Sequence, residues 1–100
     1  MERIGILAVL QARPGREHDL EAFLKAAQPL AQMEPQTLRW YAFKIDASRF
    51  AIFDTFADQA GRRAHVDGEI ARQLGTAATE LLSAPPSIEF VDIVAAKRAK

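Results

Sequence analysis

The spacing of hydrophobic residues changes several times along the chain, and each change marks a predicted element. Residues 3–12 and 87–96 are rich in Ile, Val, Leu or Phe, a composition that is typical of β-strands. Residues 37–45 and 49–56 have the same character, and the short turn between them predicts an antiparallel hairpin. The pattern therefore predicts four strands.

Two segments between these strands have helical spacing instead. From about Arg16, apolar residues recur at steps of three and four, and the acidic residues of the first turn lie where the helix dipole favours them. Asp58 is a predicted N-cap, and helical spacing continues from it to Leu74. We expect a bend at Gly75 and a further helical turn or two over 76–82.

The order β-α-β-β-α-β predicts one ferredoxin-like α+β domain over residues 1–100, with a four-stranded antiparallel sheet and its helices on one face. A strand with one face in water alternates apolar and polar residues. Three of these strands are instead apolar on both sides, as Leu7, Phe53 and Val91 illustrate. A large bare apolar face needs a cover, so we expect a homodimer that pairs through this face of the sheet.

Composition narrows the possible functions. The chain has 100 residues with thirteen basic and thirteen acidic side chains, whereas nucleic-acid binders carry a basic excess, so we expect no nucleic-acid partner. The absence of cysteine excludes disulfides and thiolate metal sites and suits the reducing cytoplasm, where we expect the protein. The first apolar run is short and is followed by Gln11 and Arg13, which favours a buried strand over a signal peptide or a membrane span. Residues 97–100 predict a flexible basic tail.

A family resemblance extends over nearly the whole chain. Its residues are the strand Phe50–Phe56, the following Asp58, Gly61, Arg62, His65 and Gly68, the Arg13-Pro14-Gly15 strand end, and the late run Pro85-Pro86-Ser87-Ile88. The chain resembles the antibiotic biosynthesis monooxygenase family in these positions. The resemblance implies a dimeric α+β barrel. For some members it also implies oxygenation of polycyclic phenols or quinols without metal, flavin or haem.

Other members of the resembled family degrade haem with a set of Asn, Trp and His. The corresponding positions here hold Ala8, Phe56 and His65, so only the histidine is retained. These two departures argue against haem degradation.

His65 and Asp54 are the candidate catalytic residues. Histidine titrates nearest to physiological pH, so His65 is the candidate base, and the alternative is a structural histidine bonded to a neighbour. Asp54 interrupts an apolar strand face and must find a hydrogen-bond donor. It would orient His65 or a substrate hydroxyl. The alternative is a structural salt bridge to one of three arginines, Arg39, Arg49 or Arg62.

Four further residues are candidates for substrate binding: Trp40, Tyr41, Phe56 and Arg62. Trp40 and Tyr41 point to opposite sides of the second strand, and the sequence does not fix which one lines a pocket. Tyr41 would donate a hydrogen bond to a substrate oxygen or pack in an interface, and Phe56 would form an aromatic wall. Arg62 would neutralise an anionic substrate or else lie solvated at the surface.

The predicted function is that of a cofactor-independent monooxygenase acting on a small aromatic phenol, quinol or similar enolisable compound with dioxygen. No nucleotide-binding or zinc-protease motif occurs, and the two histidines lie far apart in the chain, so we expect neither a cofactor nor a metal. Two alternatives remain: a non-catalytic dimeric ligand-binding or stress-response protein, and an isomerase on the same scaffold. Only the oxygenase must consume dioxygen.

Overall fold

Four strands and three helices make up residues 1–97, the part of the chain that the computed structural model describes. In chain order they are β1 (Ile4–Gln11), α1 (Glu17–Gln32), β2 (Arg39–Lys44), β3 (Arg49–Phe56), α2 (Gln59–Val66), α3 (Glu69–Leu81) and β4 (Ser87–Asp92). The strands form one antiparallel sheet in the order β2-β3-β1-β4. This arrangement confirms the predicted ferredoxin-like α+β fold. The predicted basic tail lies outside the described residues from position 98 onward.

One face of the sheet, which we call the helix face, packs against the helices and forms the core. Paired residues on neighbouring antiparallel strands point to the same face, and the pairs Ile6–Asp54 and Asp54–Trp40 put these three side chains in one row. On β1 and β3 this face is mostly buried and apolar. The main cluster contains Ala8, Leu10, Ala12, Leu20, Leu24, Phe50, Ile52, Leu81 and Leu82.

The opposite face of the sheet carries alternate residues of the same strands. Phe53 and Val91 are partly buried there, whereas Tyr41 and Phe43 are 49% and 44% exposed. The predicted apolar character of both faces is therefore present in the fold. We call this surface the bare face, and the homodimer that would cover it stays a prediction.

The helical region after β3 breaks at a different place from the predicted one. The expected bend at Gly75 is absent because Gly75 lies inside α3, and the break falls at Asp67 and Gly68 instead. A side chain at position 68 would bring its Cβ within 3.1 Å of the Ala64 carbonyl oxygen, whereas one at position 75 would meet nothing within 4 Å. Close backbone approach therefore explains the glycine at the break.

None of the helices in residues 1–97 is long and apolar enough to cross a membrane.

The last strand is shorter than the sequence predicts. β4 ends at Asp92 rather than at position 96. The Ile93 amide still donates to the Arg3 carbonyl at 2.8 Å, which extends the pairing with the segment before β1 by one bond. Residues 94–97 have no regular structure.

Candidate active site

His65 lies on the inner side of α2, next to the sheet. The helix begins after Asp58, whose side chain accepts a hydrogen bond from the Gly61 amide at 2.9 Å, so the predicted N-cap is present. A Cβ at Gly61 would lie 3.3 Å from the Gln36 carbonyl oxygen, and the glycine lets α2 approach the turn that follows α1. His65 is only 9% exposed, and its ring centroid lies 5.5 Å from that of Phe56.

Two carboxylates hold the His65 ring, one at each nitrogen. Nδ1 lies 2.7 Å from Glu34 Oε1, and Nε2 lies 3.0 Å from Asp54 Oδ2. Glu34 follows α1 and is itself oriented by the Thr37 hydroxyl, which donates to it at 2.7 Å. The side chains of Asp54, His65 and Glu34 are 2%, 9% and 20% exposed, so the three lead from the interior towards the surface.

The surroundings of His65 favour its protonated form. Burial alone would lower the pKa of the imidazole, but the hydrogen bonds and negative charges of Asp54 and Glu34 outweigh burial and raise the pKa to about 9. At neutral pH the ring therefore carries both protons and donates one to each carboxylate. A protonated His65 must release a proton before it can accept one, and its role as a catalytic base stays a prediction.

Asp54 pairs with the histidine rather than with an arginine. The arginines considered from the sequence bond elsewhere: Arg39 to Glu2, Arg49 to Asp46 and Arg62 to the Gly5 carbonyl. The second oxygen of Asp54, Oδ1, is buried and has no hydrogen-bond partner among residues 1–97. The carboxylate is thus fixed at one oxygen and unbonded at the other.

The four residues predicted to bind substrate are only partly brought together. Phe56 is fully buried beside His65 and forms the wall of the site on that side. Trp40 lies next to Asp54 on the helix face of the sheet, whereas Tyr41 points to the bare face, where Arg39 donates to its hydroxyl at 3.3 Å.

Arg62 occupies the other end of the helix face. Its guanidinium carbon lies 4.2 Å above the Phe90 ring on β4, and Nη1 donates to the Gly5 carbonyl at 3.3 Å. The structure therefore groups His65, Asp54 and Phe56 with Trp40 beside them, and it leaves Tyr41 and Arg62 apart from this group.

Two grooves border the site. The first, which we call the α1–β2 groove, has a volume of about 540 Å³ and is lined by Glu21, Leu24, Lys25, Gln28, Trp40, Tyr41, Ala42, Phe43, Lys44 and Phe50. The second, the α1–α2 groove, has a volume of about 310 Å³. Glu34 and His65 both line the α1–α2 groove. The group of Asp54, His65 and Glu34, which we call the acid–base cluster, thus reaches the surface through this second groove.

Glu34 is the member of the cluster that the sequence did not reveal. It lies between Met33 and Pro35 in a turn, and no motif or hydrophobic spacing sets it apart from other surface acids. Only the packing of α2 against this turn brings it to His65. Within residues 1–97, no group of three or more His, Asp or Glu side chains is arranged to hold a metal ion.

Comparison with solved structures identifies close relatives. A Nitrosomonas europaea protein of unknown function superimposes with a TM-score of 0.96 and 46% sequence identity, covering 100% of this chain and 97% of its own. The chain belongs to the family of that protein. Models of known protein families give no match, and neither do curated proteins.

More distant structures show which fold this family has. A Pseudomonas aeruginosa protein has a TM-score of 0.81 and 21% identity, covering 95% of this chain and 97% of its own. An antibiotic biosynthesis monooxygenase has a TM-score of 0.80 and 16% identity, covering 92% of this chain and 99% of its own. The resemblance to the antibiotic biosynthesis monooxygenase family is therefore confirmed for the fold.

Proposed function

We propose that this protein is a monooxygenase that uses neither metal nor flavin and acts on a small aromatic phenol, quinol or similar enolisable compound. The observation that carries the proposal is the hydrogen-bonded cluster Asp54–His65–Glu34, buried at one end and partly exposed at the other. Such a cluster handles protons in a region from which water is largely excluded. Proton removal is the step that makes a phenol or quinol electron-rich enough to react with dioxygen.

The charges of the cluster suit the removal of one proton from a neutral substrate. Asp54 accepts the proton and His65 keeps both of its own, so the cluster gains the positive charge that the substrate loses. The total charge of cluster and substrate is the same before and after, so the protein need not bury an additional net charge. The substrate anion remains beside His65, which stays hydrogen-bonded to Asp54.

The oxygenation step balances without an external reductant. The substrate anion gives one electron to dioxygen, and the two radicals combine to form a carbon–oxygen bond and a peroxide anion, which takes the proton back from Asp54 and becomes a hydroperoxide. Loss of water from that hydroperoxide leaves one oxygen atom on the substrate. For a hydroquinone, the sum is hydroquinone plus dioxygen to hydroxyquinone plus water, and the substrate supplies all the electrons.

The α1–β2 groove suits the aromatic body of such a substrate. Its volume of about 540 Å³ lies within the usual range for small-molecule sites, and Trp40 and Phe50 give it aromatic walls. Trp40 also lies directly opposite Asp54 on the neighbouring strand. A substrate in this groove would therefore be one strand away from the acid–base cluster.

The proposal includes a homodimer that pairs through the bare face. Phe43 and Tyr41 are close to half exposed there, and Leu7, Val9 and Phe53 extend the apolar surface across the sheet. Contiguous exposed apolar surfaces mark interaction sites, and a second copy of the chain covers this one by a two-fold pairing.

Oxygen uptake by the purified protein tests the proposed function. The protein, freed of metal and flavin, is assayed against a panel of hydroquinones and polycyclic phenols. We expect uptake above the rate of autoxidation, reduced by about a hundredfold in Asp54→Asn because the proton acceptor is lost. Asp19→Asn removes an exposed carboxylate from α1 and is the matched control, which should leave uptake unchanged.

Two results would contradict the proposal. One is uptake that is equal in the wild type and in Asp54→Asn. The other is exchange of substrate protons with deuterated solvent in the absence of any oxygen uptake, since proton transfer alone is the chemistry of an isomerase.

A further inference from the structure

Two buried polar atoms on the helix face of the sheet lack partners. They are the indole Nε1 of Trp40 and the carboxylate Oδ1 of Asp54, and neither has a hydrogen-bond partner within residues 1–97. An indole nitrogen only donates and an ionised carboxylate oxygen only accepts. Leaving such groups unpaired in the interior costs free energy, so an unpaired donor and an unpaired acceptor on neighbouring strands require an explanation.

The two residues are directly paired across strands. Trp40 on β2 is opposite Asp54 on β3, and their Cβ atoms are therefore about 4.5–5.5 Å apart on one face. The surroundings are apolar: Ile6 flanks Asp54 on β1, and the Trp40 ring packs against the cluster of Ala27, Ala31 and Ile70. A hydrogen bond formed in such surroundings is stronger than the same bond in water.

We propose that Trp40 Nε1 and Asp54 Oδ1 form a subsite for one hydroxyl group of a phenolic ligand. A hydroxyl has one proton to donate and lone pairs to accept, so it satisfies the indole and the carboxylate together. A carbonyl, an ether or a carboxylate ligand would satisfy the indole but would leave Asp54 Oδ1 unpaired or repelled. The subsite therefore selects for a hydroxyl.

This inference rests on the proposed function and assigns the proton transfer to particular atoms. The phenolic O–H bond breaks, its proton passes to Asp54 Oδ1, and the electron pair stays on the phenolate oxygen. That oxygen continues to accept the hydrogen bond from Trp40. Asp54 keeps its other oxygen on His65, so the acceptor stays fixed during the transfer.

Trp40 lies between the α1–β2 groove and Asp54. Its ring is part of the wall of the α1–β2 groove, on the edge strand, and Asp54 lies one strand further inside. Both unpaired atoms are out of contact with solvent. A ligand that enters from the α1–β2 groove therefore meets Trp40 before it meets Asp54.

Equilibrium binding of phenol and toluene without dioxygen tests the subsite. The two probes match in size, and only phenol has the hydroxyl. We expect the ratio of phenol affinity to toluene affinity to fall by about tenfold in Trp40→Phe, which retains an aromatic ring but lacks the donor. Asp54→Asn should lower the ratio as well. Thr55→Val removes the third buried unpaired polar atom, on the bare face, and should leave the ratio unchanged.

Proton NMR gives a second readout on the wild type. Trp40 is the only tryptophan, so its indole N–H resonance is identified without assignment experiments. We expect phenol to move this resonance downfield and toluene to leave its hydrogen bonding unchanged.

Several results would overturn the subsite. One is an affinity ratio that is equal in the wild type and in all variants. Another is an indole resonance that is already hydrogen-bonded and unaffected by phenol, which would indicate a resident water only. Because the binding assay needs no turnover, hydroxyl selectivity without any oxygen uptake would support the subsite and refute the monooxygenase. Oxygen uptake without hydroxyl selectivity would support the monooxygenase and refute the subsite.

Discussion

Asp54 is almost fully buried, and a carboxylate at 2% exposure must be paired with a hydrogen-bond donor or a positive charge. The sequence predicted this need, since an acid interrupts an apolar strand face, and it offered His65 as one partner. The structure brings the two within 3.0 Å. Glu34 could not be predicted, since its role depends on the packing of a turn against α2 rather than on any local pattern.

The raised pKa of His65 makes the stability of the protein depend on pH. The pKa rises on folding from an ordinary 6.5 to about 9, so the folded state binds the proton more tightly than the unfolded chain. This contribution is complete below about pH 6.5 and is lost as the pH rises through 9. We expect the free energy of unfolding to fall by about 2–3 kcal/mol over this interval.

Urea denaturation at a series of pH values measures this dependence. His65→Gln should lose the contribution, whereas His18→Gln, an exposed histidine on α1, should retain it. Parallel profiles for the wild type and His65→Gln would mean that the two carboxylates do not bind an imidazolium.

At the scale of elements, the sequence predicted the strands and the first helix well because their hydrophobic periods are clear. It failed at the break after α2. Gly75 and Gly68 are the same residue type in a helical pattern, and the sequence cannot tell which one meets neighbouring backbone. Only the 3.1 Å approach to the Ala64 carbonyl distinguishes Gly68.

The two glycines should respond in opposite ways to alanine. Gly75→Ala adds a methyl group to open space inside α3 and should stabilise the protein by about 0.5–1 kcal/mol, because alanine has the higher helix propensity. Gly68→Ala places a methyl group against the backbone of α2 at an N-cap position, so it should destabilise the fold. Thermal unfolding of both variants measures the difference, and equal shifts in melting temperature would refute the explanation of the break.

At the scale of the whole molecule, the sheet has two apolar faces and the helices cover only one. The sequence showed this feature directly, because period-two alternation is missing from three strands. It could not show how the helices leave β4 partly uncovered on the helix face, where Ile88 and Phe90 are 51% and 58% exposed. The β4 strand is at the edge of the sheet, and the described helices pack mainly over the other three strands.

Introducing a charge on one face of the sheet or on the other tests which face forms the dimer interface. Phe43→Glu puts a carboxylate on the bare face and should convert a dimer into a folded monomer, since position 43 is already 44% exposed within one chain. Ile88→Glu is the matched control on the other face and should leave the assembly intact. Light scattering after size exclusion measures the mass, and a wild-type monomer at all concentrations would contradict the expected homodimer.

The most direct test of the acid–base cluster is an NMR titration of the His65 ring protons. The signal is assigned by its loss in His65→Gln, so the other histidine does not interfere. We expect the pKa of His65 to lie near 9 and to fall in Glu34→Gln, because one of the two stabilising charges is then removed. A His65 that titrates at or below the ordinary 6.5 would mean that the buried cluster does not hold an imidazolium, and it would contradict the proton chemistry proposed for this site.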